Sequence, residues 1–282
     1  VQDMSNPFFS AMTKGAEDAA KAIGATVNTQ DAQLDLANQN TQIDAFIQQG
    51  VNLIVISAVD EAGIEPAILR AKEAGIIVMA VDTPAHGADA VIMTNAVQAG
   101  EKSCDFLFQQ MGGKGEVLLV DGTPIQTIID RINGCKTVAA KYPDIKIVGE
   151  AVGMWSQSVA RTELSKILAT RSWNDINGLW MQVGCFTANS MQLEAGKKAS
   201  ELLPCAGEGS NGGRIQMLPE GTEVEGAAPP YAPAGAQRIS YASAPYSGAL
   251  GLKLAAEATE GKDVPTTTIP PLPVVTNETV TL

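Results

Sequence analysis

The chain holds a single histidine, His86, among its 282 residues, and only 5% of its residues are aromatic. With one imidazole, a Ser-His-Asp arrangement would rest on a Pro-Ala-His-Gly stretch that reads most simply as a surface turn. The four cysteines, at 104, 135, 185 and 205, contain no C-x-x-C pair. Beside one histidine they argue against a zinc site. Cations are in deficit: 19 Lys and Arg face 31 Asp and Glu, for a net charge of −12. Phosphate binding rests on clustered cations, so this balance argues against nucleic acid as a partner. Long apolar runs are missing as well. The longest, Ala74 to Val81, has eight residues, against the ~20 of a membrane helix. No G-x-G-x-x-G follows the first strand, and neither G-x-x-x-x-G-K-[ST] nor G-x-S-x-G occurs. The dinucleotide fingerprint is thus missing after the first strand, the other two signatures are missing altogether, and no cofactor is expected. At the start there is no initiator Met, basic n-region or apolar h-region. Val1 to Met4 reads as the tail of a strand, so a chain that was processed, or that lacks its first few residues, is expected.

What is present is the composition of a folded, acidic, soluble chain: 45% apolar and 18% charged residues. At ~150 residues per domain the length suggests two domains. The pattern alternates strand and helix. Asn6 can cap a helix with Pro7 at its first position, running to about Ile23. Ala25 to Asn28 reads as a strand, Leu34 to Gln49 as a helix, and Leu53 to Ile56 as a strand apolar on both faces. A helix from Glu61 to Ala74 and a strand from Ile76 to Val81 follow, then a short strand, Ala90 to Thr94, with no helix between. The alternation restarts near residue 95: helices at 97–111, 127–141, 158–170 and 186–195, strands at 116–121, 145–152 and 179–182. Residues 205–235, rich in Gly and Pro, read as a strand end and loops. Ala236 to Tyr241 is a strand, Tyr246 to Glu260 the last helix, and the tail from Thr266 an edge or crossing segment. This is an α/β chain, with two doubly wound parallel-sheet lobes joined by a hinge of crossing strands.

In open α/β sheets, ligands sit beyond the carboxyl ends of the strands. Those positions hold Asn6, Phe8, Phe9, Ser57 and Asp82 in the first half, and Asp121, Trp155, Gln182 and Glu208 in the second. Arg131 lies in the helix after Asp121. Flat aromatic faces suit the C–H patches of a small polyhydroxylated molecule, and charged groups make directional bonds to its hydroxyls.

Asn6-Pro7-Phe8-Phe9 opening the first helix, Asp82 ending the strand Val78-Met79-Ala80-Val81, and Arg131-Ile132-Asn133-Gly134 in the second half occur in order and in register. Together they resemble the ribose-binding-protein group of type I periplasmic binding proteins, the sugar receptors of ATP-driven importers, over nearly the whole chain. The resemblance implies an N-terminal lobe of residues 1–95 plus 243–270 and a C-terminal lobe of 96–242 plus 271–282. It implies that Asn6 bonds a ring hydroxyl, Phe8 or Phe9 stacks on the sugar, Asp82 accepts from two hydroxyls, Arg131 donates to hydroxyls and the ring oxygen, and Trp155 supplies the second aromatic. Four positions depart from the group. Ser57 stands in place of Asn, Thr83 in place of Arg, Val183-Gly184 in place of Asn-Asp, and Cys205 to Gly212 in place of Phe-Asp-Gly. These changes leave the fold intact and put ribose itself in doubt.

Plainer roles compete. One of Phe8 and Phe9 is expected in the core, Asp82 could cap a turn, Arg131 could pair with Asp130 or Glu163 on a solvated face, and Trp155 could be core. In an oxidising compartment a Cys185–Cys205 bridge is preferred to four buried thiols, and Cys104–Cys135 is the less favoured pair. The expectation is therefore a monomeric periplasmic receptor that binds one small sugar or polyol between its lobes with hinge closure and delivers it to a membrane permease, without catalysis. The alternative is the effector domain of a sugar-responsive transcription repressor lacking its DNA-binding segment.

Overall fold

The computed structural model describes residues 1–123, 125–227, 232–241, 245–272 and 274–280. It divides into two units: Val1–Thr94 with Ser243–Pro271, and Asn95–Ala242 with Leu272–Leu282. In chain order, unit 1 contributes α1 (Pro7–Ala22), α2 (Leu36–Gln49), β1 (Leu53–Ile56), α3 (Glu65–Glu73), β2 (Ile77–Val81) and β3 (Ala90–Ile92). Unit 2 follows with α4 (Ala96–Gln110), β4 (Lys114–Asp121), α5 (Gln126–Ala139), β5 (Asp144–Val152), α6 (Gln157–Leu168), β6 (Gly178–Met181), α7 (Cys185–Glu194), β7 (Cys205–Glu208), α8 (Asn211–Met217) and β8 (Arg238–Tyr241). The chain then returns to unit 1 for α9 (Ser247–Thr259) and β9 (Thr267–Thr268), and to unit 2 for β10 (Val274–Thr276).

Unit 1 has a sheet of order β1-β2-β3-β9 with every pair parallel. Unit 2 has the order β10-β8-β7-β6-β4-β5, parallel except for the antiparallel edge strand β10. Alternate residues along these strands enter different cores. In β4, Leu118 and Val120 pack on one face while Val117 and Leu119 pack on the other. In unit 1, Ile54 and Ile56 face one cluster and Val55 the opposite one. A sheet buried on both faces needs strands apolar throughout, which is why the short runs Leu53–Ile56 and Ile77–Val81 were readable as parallel strands. The doubly wound α/β expectation is met.

Three local expectations are corrected. Val1 to Met4 is not a strand: Val1 exchanges backbone bonds with Gln30 and Ala32, and Gln2 O accepts from Leu34 N, but these bonds do not extend into a regular strand. Ala25 to Asn28 is exposed and forms no ladder among the described residues. Residues 211–217 form a helix where glycine content pointed to loop. Ser210 Oγ caps it by accepting from Gly213 N at 3.1 Å. A Cβ on Gly213 would overlap the buried Arg238 guanidinium, so this glycine serves packing rather than a turn.

In unit 2, α4 and α5 pack closely. A Cβ on Gly100 would overlap the Arg131 carbonyl oxygen, and one on Gly134 the Val97 carbonyl oxygen. The two helices therefore touch backbone to backbone. That approach brings the Cys104 and Cys135 Cα atoms to 5.3 Å, and the two form a disulfide, the pairing the sequence reading had placed second. Cys185 and Cys205 form another, at 5.9 Å. Beneath the helix pair, Trp180 is fully buried, and its indole N–H donates to Ser103 Oγ at 2.8 Å. Its large apolar area is thus removed from water without an unsatisfied donor.

Gly134→Ala should force the helices apart and cost about 2–3 kcal/mol. For a protein of this size that lowers the melting temperature by roughly 4–12 °C. An unchanged melting temperature would mean that the backbone contact is not required.

Candidate functional site

In unit 2 the rows of side chains across the sheet change character at the strands' carboxyl ends. Register places Leu119, Trp180, Ala206 and Ile239 side by side, all apolar. Two residues further along each strand the same face carries Asp121, Gln182 and Tyr241, with Glu208 paired to Tyr241 through the backbone. The Glu208 side chain lies outside the described residues. Arg131 descends onto this polar row from α5. It is 1% exposed, which removes the alternative of a solvated ion pair with Asp130 or Glu163. Its Nη1 donates to Gln182 Oε1 at 2.9 Å, and the Tyr241 hydroxyl donates to the same oxygen at 2.7 Å. The guanidinium carbon lies 5.2 Å from the Tyr241 ring centroid and 5.6 Å from that of Trp155, within cation–π range.

Gln182 is completely buried, and because its Oε1 already accepts twice, Nε2 is the group left over. That Nε2 has no partner among the described residues. A buried, unpaired amide donor is costly and suits a site that an acceptor enters. Trp155 reaches the row through a tight turn in which Met154 (φ 52°) and Trp155 (φ 57°) are both left-handed, closed by Ser156 N donating to Gly153 O at 2.9 Å. Two consecutive non-glycine residues at positive φ are strained, at about 1–3 kcal/mol each. The indole lies against Gly122, where a Cβ would clash with it. Asp121, just before that glycine, has its carboxyl pushed up to about 6, chiefly by burial and further by the Glu150 charge, against a smaller opposing pull from Lys136. Its Oδ1 has no hydrogen-bond partner among the described residues.

Unit 1 assembles a second group. Asn6 Oδ1 accepts from Phe8 N at 2.9 Å, so its oxygen caps α1 and its amide nitrogen remains for other bonds. Phe8 and Phe9 meet edge to face, centroids 5.2 Å apart. Both are half-buried against Met12, Val81 and Ile92, so neither is the fully buried member of the pair that helical geometry suggested. Asp82 follows β2 with φ 65°, and Thr83 N donates across it to Val81 O at 2.8 Å. That is a three-residue turn, rare and strained for a residue with a side chain. Ser57 is fully buried, and its hydroxyl accepts from Gln2 Nε2 at 3.1 Å. The same nitrogen donates to Thr83 Oγ1 at 2.7 Å.

The structure thus gathers Arg131, Gln182 and Trp155 around one point of unit 2, and links Ser57 to the turn that carries Asp82 in unit 1. Asn6, Phe8 and Phe9 cluster at the head of α1. Sequence reasoning missed Tyr241 and Gln2. Tyr241 was reachable by stepping the strand register from Gln182, since both end their strands on one face. Gln2 gave no local signal, because its partners lie 55 and 81 residues away. Among the described residues no three His, Cys, Asp or Glu side chains gather as metal ligands. No helix among them is long and apolar enough to cross a membrane.

Because the folded-state carboxyl of Asp121 titrates near 6, above its unfolded value of 3.8, the native state holds more protons between those pH values. Stability from this group is greatest below about pH 4, falls as pH rises to about 6, and is then constant. Asp121→Asn should therefore melt above wild type at pH 8, with the advantage shrinking as pH falls from about 6 to about 4. A melting difference that does not vary with pH would contradict this assignment.

The periplasmic binding protein domain family matches residues 1–263. The xylitol-binding protein of Mycolicibacterium smegmatis is 29% identical over 174 residues, 60% of this chain and 49% of that protein. The ribose import binding protein of Bacillus subtilis is 31% identical over 126 residues, 44% of this chain and 41% of that protein. The chain thus spans about half the length of the curated relatives it matches. Among solved structures, an ABC transporter solute-binding protein from Actinobacillus succinogenes with bound D-allose shares the fold with a TM-score of 0.82 at 22% identity, over 98% of this chain and 95% of that one. The binding component of an arabinose ABC transporter from a Shewanella species shares it with a TM-score of 0.83 at 22% identity, over 99% and 90%. With 263 residues matched from its first position, the chain belongs to the periplasmic binding protein domain family.

Proposed function

We propose that this protein is the solute receptor of an ATP-driven importer and that it binds one small sugar or polyol without transforming it. The observation that carries the reading is the unit 2 group. A buried guanidinium held by Gln182 and Tyr241, an unpaired amide donor and an aromatic face lie within one strand-end row. Those are the groups a compact polyhydroxylated ligand needs: fixed donors for hydroxyl and ring oxygens, and a flat surface for C–H faces. In unit 1, Asn6, Phe8, Phe9 and Asp82 offer contacts of the same kinds: an amide, aromatic faces and a carboxylate. The relatives named above are binding proteins, which supports binding over turnover.

Two disulfides favour an oxidising compartment. They support a periplasmic location and weigh against a cytosolic repressor domain; a monomeric receptor that docks on a permease is part of the same proposal. The four departures at strand ends point away from ribose and toward another pentose, hexose or polyol. Carboxylates at Asp82 in unit 1 and Asp121 in unit 2 also leave room for an amine on the ligand.

The test is a melting series against pentoses, hexoses, polyols, inositols and amino sugars, on protein refolded to remove any bound solute. At a thousand times its dissociation constant a true ligand stabilises the fold by ~4 kcal/mol, a rise of very roughly 8–16 °C. Arg131→Met keeps much of the side-chain volume and should abolish that rise while still melting cooperatively. A wild type that responds to nothing, or an Arg131→Met variant that responds normally, would overturn the reading.

A further inference from the structure

Gln2 ties together two strand ends that the chain itself separates widely. Both hydrogens of its Nε2 are spent, one on Ser57 Oγ at 3.1 Å and one on Thr83 Oγ1 at 2.7 Å. Ser57 stands just past β1 and Thr83 two residues past β2, strands that pair in parallel with Ile56 beside Ala80. Gln2 itself is held by its backbone, since its carbonyl accepts from Leu34 N at 2.8 Å. The side chain therefore projects from a fixed point across both strand ends.

This arrangement sets the polarity of each hydroxyl. A hydroxyl that accepts from an amide has its own hydrogen left to give. Ser57 is fully enclosed, so its remaining hydrogen stays within the protein. Thr83 is half-buried, next to Asp82, and can give its hydrogen outward. Gln2 Oε1 has no hydrogen-bond partner among the described residues, and the amide's own geometry keeps it beside Nε2. The strap thus presents a donor, Thr83 Oγ1–H, next to an acceptor, Gln2 Oε1. One ligand hydroxyl, itself both donor and acceptor, satisfies the pair.

We infer that Gln2 is a specificity-determining residue of unit 1, which orients Thr83 and reads one hydroxyl of the ligand together with it. The inference rests on the receptor reading above and names a contact beyond it. It also gives chemical content to two departures from the ribose-binding pattern. Where that pattern supplies an Asn amide and an Arg guanidinium, Ser57 and Thr83 supply hydroxyls that a glutamine from elsewhere must orient. The strap adds no positive charge beside Asp82, so this corner selects for neutral hydroxyls over carboxylates.

The experiment compares wild type, Gln2→Ala, Thr83→Val and the double variant. Each is titrated calorimetrically with the best compound of the melting panel and with its monodeoxy analogues. Wild type should prefer the parent over one particular deoxy analogue by about tenfold or more, the worth of a neutral hydrogen-bond pair. In Gln2→Ala and in Thr83→Val that preference should collapse for the same analogue, and the double variant should lose no more than either single one. A purely structural strap would lower affinity for every compound alike and leave the ratios unchanged, which overturns the inference. A wild type that responds to no panel compound overturns the receptor reading and this inference with it. A responsive wild type whose preferences survive Gln2→Ala overturns this inference alone.

Discussion

The backbone contact between α4 and α5 governs where the binding chemistry of unit 2 can stand. Gly100 meets the carbonyl of Arg131 itself, and Gly134 meets that of Val97. The Cys104–Cys135 bridge then fixes the same crossing covalently, closing 31 residues of chain. Held this close to α4, α5 drives Arg131 into the row above Trp180, where Gln182 and Tyr241 receive it. A guanidinium at 1% exposure is tolerable only where hydrogen bonds and aromatic faces replace water. A looser crossing would let it drift toward solvent, where a charged group forfeits most of its directional strength. The glycines therefore act on the site through geometry, at a distance from any ligand.

Backbone strain recurs in both units. In unit 2, Gly153 N donates to Asp121 O at 2.7 Å, and a turn through left-handed Met154 and Trp155 leads to the Ser156 cap of α6. In unit 1, Ala32 N donates to Val1 O at 3.0 Å, and a turn through left-handed Gln33 and Leu34 leads to the Asp35 cap of α2. Each turn projects its second residue, Trp155 in one unit and the exposed Leu34 in the other. Asp82, just past the end of β2, adds a third strained site. Glycine or asparagine would hold these conformations at less cost. Local stability is given up where side chains must be aimed.

The elements were legible because their signals are local: Asn6, Asp35 and Asn95 each cap a helix with a side-chain oxygen, and two-faced apolar runs mark the buried strands. What escaped notice depends on tertiary contact. The glycines around α8 pointed to loop because a packing glycine and a turn glycine look alike until Arg238 is seen against Gly213. The Cys104–Cys135 pair depends on how near two helices come, which spacing alone does not state. The positions worth inspecting followed from the strand-end rule for open sheets. Which groups would hold one another there did not, since the Gln2, Ser57 and Thr83 triad and the Arg131, Gln182 and Tyr241 triad each join residues more than fifty positions apart.

The central claim is that the α4–α5 crossing positions Arg131 for binding. The most direct test is to titrate the best panel ligand into the Cys104→Ala/Cys135→Ala double variant at a temperature where it and wild type are both fully folded. The account predicts affinity weakened by about tenfold or more, because a crossing freed of its bridge lets Arg131 move and loses about one well-made charged hydrogen bond. Equal affinity in the two proteins would show that Arg131 is placed without the crossing's help, and would contradict the account.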